Sequence, residues 1–199
     1  RLKQAGCLFI TSAVESVDDD VLEYLAKGHT GADFDRAVAL VRQAGIALAP
    51  TFVAFTPWTT LEGYIALLQR LLDLKLVESV PPIQLAIRLL IPAGSYLLEL
   101  PGFRARLGEF DRQMLGYPWK HADARVDRLQ QDVQQWVAEA EGRQLARREI
   151  FAAIWRLAHA AAGVGVPELP VGALGEPTAH MSEPWYCCAE PTDQQLQSF

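Results

Sequence analysis

The chain has 199 residues, half of them hydrophobic, which suffices for one domain with its own core or for one large piece of a bigger barrel. Its 18 basic and 24 acidic residues leave a net charge of −6 and no basic patch, which argues against a nucleic-acid backbone as a partner. Three cysteines, an odd number with two adjacent, do not make a disulfide framework, so a reducing, cytoplasmic setting is expected.

The chain begins at Arg1 with no charged-then-apolar leader, and reads as a segment of a longer polypeptide rather than a processed secretory protein. Gln4-Ala5-Gly6 precedes an apolar run from Cys7 to Val14, and Gln43-Ala44-Gly45 precedes another from Ile46 to Phe55. A helix-to-strand junction that recurs at this interval has the length of one α/β unit. Between the runs, Val21, Leu22 and Leu25 mark a short helix, and Phe34, Ala37, Val38 and Val41 mark a second at helical spacing. Thr59-Thr60-Leu61-Glu62 then offers a capping box, followed by Tyr64, Ile65, Leu68, Leu71 and Leu72 on one helix face. A third strand is expected at Ile83 to Leu90. Strands alternating with helices imply a parallel sheet with right-handed crossovers. The apolar run 83–91 is broken by Gln84 and Arg88 and falls far short of the roughly 20 residues that span a bilayer, so no membrane association is expected.

Side chains alternate along a strand, which sets Gln84 and Arg88 on one face of the third strand and Ile83, Leu85, Ile87 and Leu89 on the other. A strand covered by helices on both sides is nearly all apolar, so the Gln84/Arg88 face is expected to line a solvated, ligand-bearing interior. Thr11, Ala13 and Glu15 share a face of the first strand, with Glu15 at its C-terminal end, where parallel α/β folds carry their sites. Beyond Pro101 the pattern is helical. Val126, Leu129, Val133, Trp136, Val137 and Ala140 form one stripe, and Phe151, Ile154, Leu157 and Ala158 another, expected to pack as a hairpin around Gly142. Trp119, Trp136 and Trp155 read as core rather than substrate-facing rings. His29, His121, His159 and His180 show no metal-ligand spacing, and no Ser/His/Asp set, phosphate loop or dinucleotide fingerprint occurs. The segment 163–178, rich in Gly and Pro, reads as a linker.

The chain ends with Met181-Ser182-Glu183-Pro184-Trp185-Tyr186-Cys187-Cys188-Ala189-Glu190-Pro191 and a polar stretch. Adjacent thiols beside aromatics suit redox chemistry, although free cysteines also serve as small buried hydrophobes and a tail can simply dock on the body.

Taken together, Ala5-Gly6-Cys7, Val14-Glu15-Ser16 with Asp18, Val21 and Leu22, Lys27-Gly28, Ala44-Gly45-Ile46 and Phe52-Val53-Ala54-Phe55-Thr56-Pro57 resemble the second half of a radical S-adenosylmethionine (SAM) barrel. The group concerned includes methylthiotransferases, oxygen-independent coproporphyrinogen oxidase and cobalamin-binding members. The resemblance covers about the first 100 residues. With the Cys187-Cys188-Ala189-Glu190-Pro191 tail, the chain is similar to radical SAM proteins ending in Cys-Cys-Ala-Glu-Pro, or with selenocysteine for the second Cys. The resemblance implies that Glu15 contacts SAM, that Lys27 reaches its carboxylate, and that Thr51 lies near its adenosyl group. Ser16 accompanies Glu15, while Arg88 and the Ile91-Pro92-Ala93-Gly94-Ser95 turn close the cofactor or substrate cavity. The family often has Gly where this chain has Ala13 and Phe55. Read from the residues alone, Glu15-Ser16 also suits a helix cap, and Lys27 a solvated position near a helix C-terminus.

Radical SAM chemistry uses a [4Fe–4S] cluster held by three cysteines, usually Cys-x3-Cys-x2-Cys, with SAM on the fourth iron. That motif is absent here, and Cys7 reads as a packing residue. No metal site is assigned to this chain; the cluster is expected on a preceding N-terminal half, so the fragment alone is expected to be inactive. The implied architecture is α/β: a partial (β/α) TIM-like barrel of about three β/α units over 1–100, an α-helical extension over 101–162, and a linker with cysteine tail over 163–199. The implied activity is reductive cleavage of SAM to a 5′-deoxyadenosyl radical, fed by an electron donor and acting on a small-molecule or peptide substrate. Cys188 would be the redox thiol and Cys187 its resolving partner. Cobalamin has no residue here to support it. The competing class is a non-catalytic module whose tail binds a partner protein or a soft metal.

Overall fold

Gly6 and Gly45 set up the sheet. Both adopt left-handed backbone, with φ of +87° and +66°, each directly before a strand run, a conformation glycine enters without a Cβ penalty. The computed structural model describes residues 1–170, 172, 174–179 and 189–191. Strand β1 spans Phe9–Glu15 and pairs in parallel with β2, Ala47–Phe52, in a register running from Phe9 opposite Ala47 to Ala13 opposite Thr51. Cys7 falls outside β1. Its amide is used by the preceding turn, donating to the Leu2 carbonyl at 3.1 Å, and so does not enter the ladder.

Two helices connect the strands. Helix α1, Asp19–Tyr24, starts at Asp18, whose carboxylate accepts the Asp20 and Val21 amides. Helix α2, Gly31–Gln43, starts with a reciprocal capping box in which Thr30 and Asp33 satisfy each other's backbone amides. Helix α3, Leu61–Asp73, begins one residue later than the Thr59/Glu62 capping pattern predicts: Thr60 is the cap and accepts the Gly63 amide at 2.9 Å. Thr59 is turned inward, where its hydroxyl accepts the Thr56 amide.

The third strand does not form as a ladder. Pro81 and Pro82 lack amide donors, and Pro82–Leu85 winds into a 3-10 turn. What remains is an isolated parallel bridge between Phe55 and Arg88, with the Phe55 amide on the Ile87 carbonyl and the Leu89 amide on the Phe55 carbonyl, both 2.9 Å. Gln84 therefore does not line a solvated interior. It is buried, and its Oε1 accepts the Phe52 amide at 2.9 Å, doing at the end of β2 what a neighbouring strand's carbonyl would do. Among the described residues the sheet has two strands and is not a closed barrel.

Helices α4, Ala124–Gly142, and α5, Arg147–Ala162, form the expected hairpin, and α5 ends at Gly163 with φ +70°. Their apolar stripes share one continuous core with the sheet and α3, in which Leu68, Leu71, Val133 and Ile154 are fully buried. Burying each such aliphatic side chain contributes about 1.5–3 kcal/mol. A smaller core joins Val53, Ile87, Leu89, Ile91, Leu97, Phe103 and Trp119, and the tail residue Ala189 packs against it. One sheet face, carrying Ile10, Val14, Leu48 and Phe52, packs with Phe34 and Val38 of α2. On the other, Thr11 and Ala13 are exposed and Thr51 is half-buried. Among the described residues no helix is long and apolar enough to cross a membrane.

Candidate functional site

The end of β1 is strained. The register slips between Ala13 and Glu15, and Glu15 takes a φ of +68°. The Ser16 amide bonds back to the Val14 carbonyl at 2.9 Å, closing a three-residue turn centred on Glu15, which with a positive φ is the rare form of the γ-turn. The Val14 carbonyl also meets the His29 ring Nε2 at 3.1 Å, and the Glu15 carbonyl accepts the Val53 amide at 2.9 Å. Backbone strain of this kind persists only where the surroundings hold it, and it concentrates at functional sites.

That backbone turns the Glu15 carboxylate, 6% exposed, onto the ammonium of Lys27 at 2.7 Å. Lys27 follows α1 through Ala26, itself left-handed at φ +49°, and its side chain is about one-third exposed. Ser16 stands beside the pair, with its hydroxyl accepting the Asp18 amide at 3.1 Å, and so supports the α1 cap. The structure thus brings Glu15, Ser16 and Lys27 together at the C-terminal end of β1. The crevice between Glu15, Asp18, Val53, Thr59 and Tyr64 has a volume of about 20 Å³, enough for roughly one water. The sheet face carrying Thr11 and Ala13 is exposed. Thr51 belongs to that face, where its hydroxyl makes a long, 3.4 Å contact to the Ser12 carbonyl.

Tyr96, which the sequence did not single out, lies close enough to Lys27 to feel its charge. The Tyr96 hydroxyl donates to the Tyr24 carbonyl. Burial pushes the Tyr96 phenol above its usual range, and the Lys27 charge opposes that shift. Tyr24, Trp58 and Phe103 stack in series with ring centroids 4.6 and 5.1 Å apart. Only contacts between chain segments distant in sequence reveal this cluster.

Arg88 lies in a different place. Its guanidinium sits 3.5 Å from the centroid of the Trp119 ring, donates to the Trp119 carbonyl, and pairs with Asp127 of α4 at 2.8 Å and Glu190 at 3.0 Å. The Glu190 amide donates to the Arg88 carbonyl at 2.9 Å, and Ala189 bridges antiparallel to Leu89. The Ala-Glu-Pro end of the tail motif is therefore bound to the body through both main chain and side chain. A cavity of about 570 Å³ opens beside it, lined by Arg88, Trp119, Lys120, Gln131, Gln134 and Glu190. Volumes of this order are typical of small-molecule sites. Burial is the main cause that lifts the Glu190 carboxyl to about 7, with the Asp127 charge adding to it and Arg88 opposing it.

Trp119, Trp136 and Trp155 all direct their indole N–H groups to backbone carbonyls, of Leu89, Ile150 and Pro167, and Trp119 and Trp155 are buried. Trp119 serves the core and also walls the Arg88 cavity. Cys7 is half-buried, with its thiol 3.4 Å from the Phe9 carbonyl. Cys187 and Cys188 lie outside the described residues, and no metal-holding cluster of His, Cys, Asp or Glu occurs among the described residues. No family model, curated protein or solved structure matches the chain.

Proposed function

We propose that the chain supplies the C-terminal part of an iron–sulfur radical SAM enzyme, with the two-stranded parallel unit as a section of a (β/α) barrel. The observation that carries this reading is the pair at the end of β1: a buried carboxylate on strained backbone, 2.7 Å from a lysine ammonium. Opposite charges so placed suit a ligand that itself bears an ammonium and a carboxylate, as the amino-acid end of SAM does. Glu15 would hold the ammonium, Lys27 the carboxylate, and the exposed Thr11, Ala13 and Thr51 face would receive the remainder of the ligand.

The cluster does not fit this chain. Its three cysteines are Cys7 and the adjacent Cys187 and Cys188, without Cys-x3-Cys-x2-Cys. In this proposal a preceding N-terminal half would carry the three-cysteine loop. When bound and reduced, SAM supplies a 5′-deoxyadenosyl radical that removes hydrogen from substrate. This chain's residues bind and orient: Glu15 and Lys27 hold the charged end, and Cys187 and Cys188 offer thiols. The substrate is a small molecule or peptide, and a reductant completes the system.

The test uses the longer polypeptide with its upstream coding region, reconstituted anaerobically with iron and sulfide and supplied with SAM and dithionite. Formation of 5′-deoxyadenosine and methionine is expected, with a clear loss in Glu15→Ala. An upstream region without the three-cysteine motif, or no SAM cleavage by a loaded cluster, would overturn the reading.

A further inference from the structure

The Glu190 carboxylate occupies an unusual position. One oxygen accepts from Arg88 Nε, while Oε1 is buried and has no hydrogen-bond partner among the described residues. Arg88 is already committed elsewhere, to Asp127 at 2.8 Å and to the Trp119 carbonyl and ring. Asp127 is itself held in place, accepting the His121 amide at 3.0 Å. Two carboxylates therefore share one guanidinium, and an ionised Glu190 carries a desolvation cost that its single contact with Arg88 does not fully offset.

We infer that Glu190, seated on Arg88, is a releasable latch that holds residues 189–191 against the rim of the Arg88 cavity. The latch has a main-chain half, the Leu89–Ala189 bridge and the Glu190 amide on the Arg88 carbonyl, and a side-chain half on Arg88 Nε. In sequence, Cys188 directly precedes Ala189, so the latch adjoins the tail thiols. Glu190 is a positioning residue in this scheme. Any role of the adjoining thiols rests on the proposed redox chemistry; the latch itself does not.

The charged groups facing Glu190 are Arg88 on its own bridge and Asp127 from α4, with Lys120 lining the same cavity and Gln131 and Gln134 adding neutral amides. A neutral Glu190 keeps an oxygen for Arg88 and makes the other a hydroxyl, which removes the buried unpaired charge. Docking raises this carboxyl from 4.5 to about 7. The docked tail thus holds a proton that the free tail gives up, so docking is fully supported below the free value and is lost as pH rises through about 7.

Hydrogen exchange at the Glu190 amide, followed by mass spectrometry with fragmentation and corrected for intrinsic rates, tests this on the intact chain. Protection in the wild-type chain is expected to fall about tenfold or more from pH 6 to pH 8. Glu190→Gln, a neutral isostere, should be protected equally at both pH values and more than wild type at pH 8. Arg88→Ala should lose protection at both. Glu190→Ala, which leaves the body untouched, should do the same and guards against a folding defect in the arginine variant. Protection that is flat with pH in wild type, or that survives in Glu190→Ala, would overturn the latch. No arm involves SAM, so failure here leaves the radical SAM reading intact, and an enzyme that cleaves no SAM can still show the latch.

Discussion

Glu15 and Lys27 meet at 2.7 Å because both stand on left-handed backbone or next to it: Glu15 at φ +68°, and Lys27 directly after Ala26 at φ +49°. The ion pair and the distorted end of β1 are thus one feature. A left-handed conformation costs an L-residue about 1–2 kcal/mol, which glycine does not pay. Glu15→Ala and Glu15→Gly both remove the carboxylate, and only the second relieves the backbone. Glu15→Gly is therefore expected to be about 1 kcal/mol more stable than Glu15→Ala in urea unfolding. Equal stability would show that Glu15 is not strained.

Lys27→Met keeps the aliphatic stem and leaves the Glu15 carboxylate buried without its ammonium. Because the lysine side chain is 31% exposed, solvent screening lowers the cost to about 1–2 kcal/mol, less than for a fully buried pair. In the proposed longer polypeptide, the same variant and Glu15→Gln should each weaken SAM binding about tenfold or more by equilibrium dialysis, for a charged hydrogen bond of about 1.5–3 kcal/mol. Unchanged affinity in both would separate the ion pair from SAM.

Local pattern made some of this legible and left the rest hidden. Apolar periodicity and the two Gln-Ala-Gly junctions marked β1, β2 and the four longer helices, because those signals are carried by neighbours along the chain. The third strand was misread: Ile83, Leu85, Ile87 and Leu89 alternate as a strand would, but Pro81 and Pro82 override that alternation and wind the chain into a 3-10 turn. Gln84 looked like a site residue because polarity within an apolar run suggests solvent or ligand. Here it marks a buried amide in need of an acceptor. The partners of Arg88 were not readable at all, since Trp119, Asp127 and Glu190 come from three separate segments.

Gln84 also gives a stability test. Its Oε1 is the acceptor for the buried Phe52 amide, so Gln84→Leu fills the space but leaves that donor unsatisfied. The expected loss is about 1–3 kcal/mol in urea unfolding, with no change in the slope of the transition. A neutral result would mean that another acceptor reaches the amide.

Iron loading tests the proposed placement of the cluster outside this chain. After anaerobic reconstitution, iron and sulfide analysis of the 199-residue chain should find no stoichiometric [4Fe–4S] cluster. A SAM-responsive cluster at one per chain would show that Cys7, Cys187 and Cys188 converge after all, and would overturn the assignment of the cluster to a preceding half.

The three thiols should also differ in reactivity. Cys7 is half-buried with its thiol 3.4 Å from the Phe9 carbonyl, which limits its access to reagent. The proposed function gives Cys188 the redox role and therefore the more reactive thiol. Limited iodoacetamide labelling with peptide mass spectrometry should therefore modify Cys188 before Cys7. Glu190→Ala gives a second axis: if the latch restrains the tail, Cys188 labelling should rise in that variant while Cys7 labelling stays the same. Labelling of Cys7 as fast as Cys188 would favour a merely structural tail. In the proposed complete enzyme, Cys188→Ser with undiminished substrate turnover would remove the redox role while leaving the proposed SAM cleavage standing.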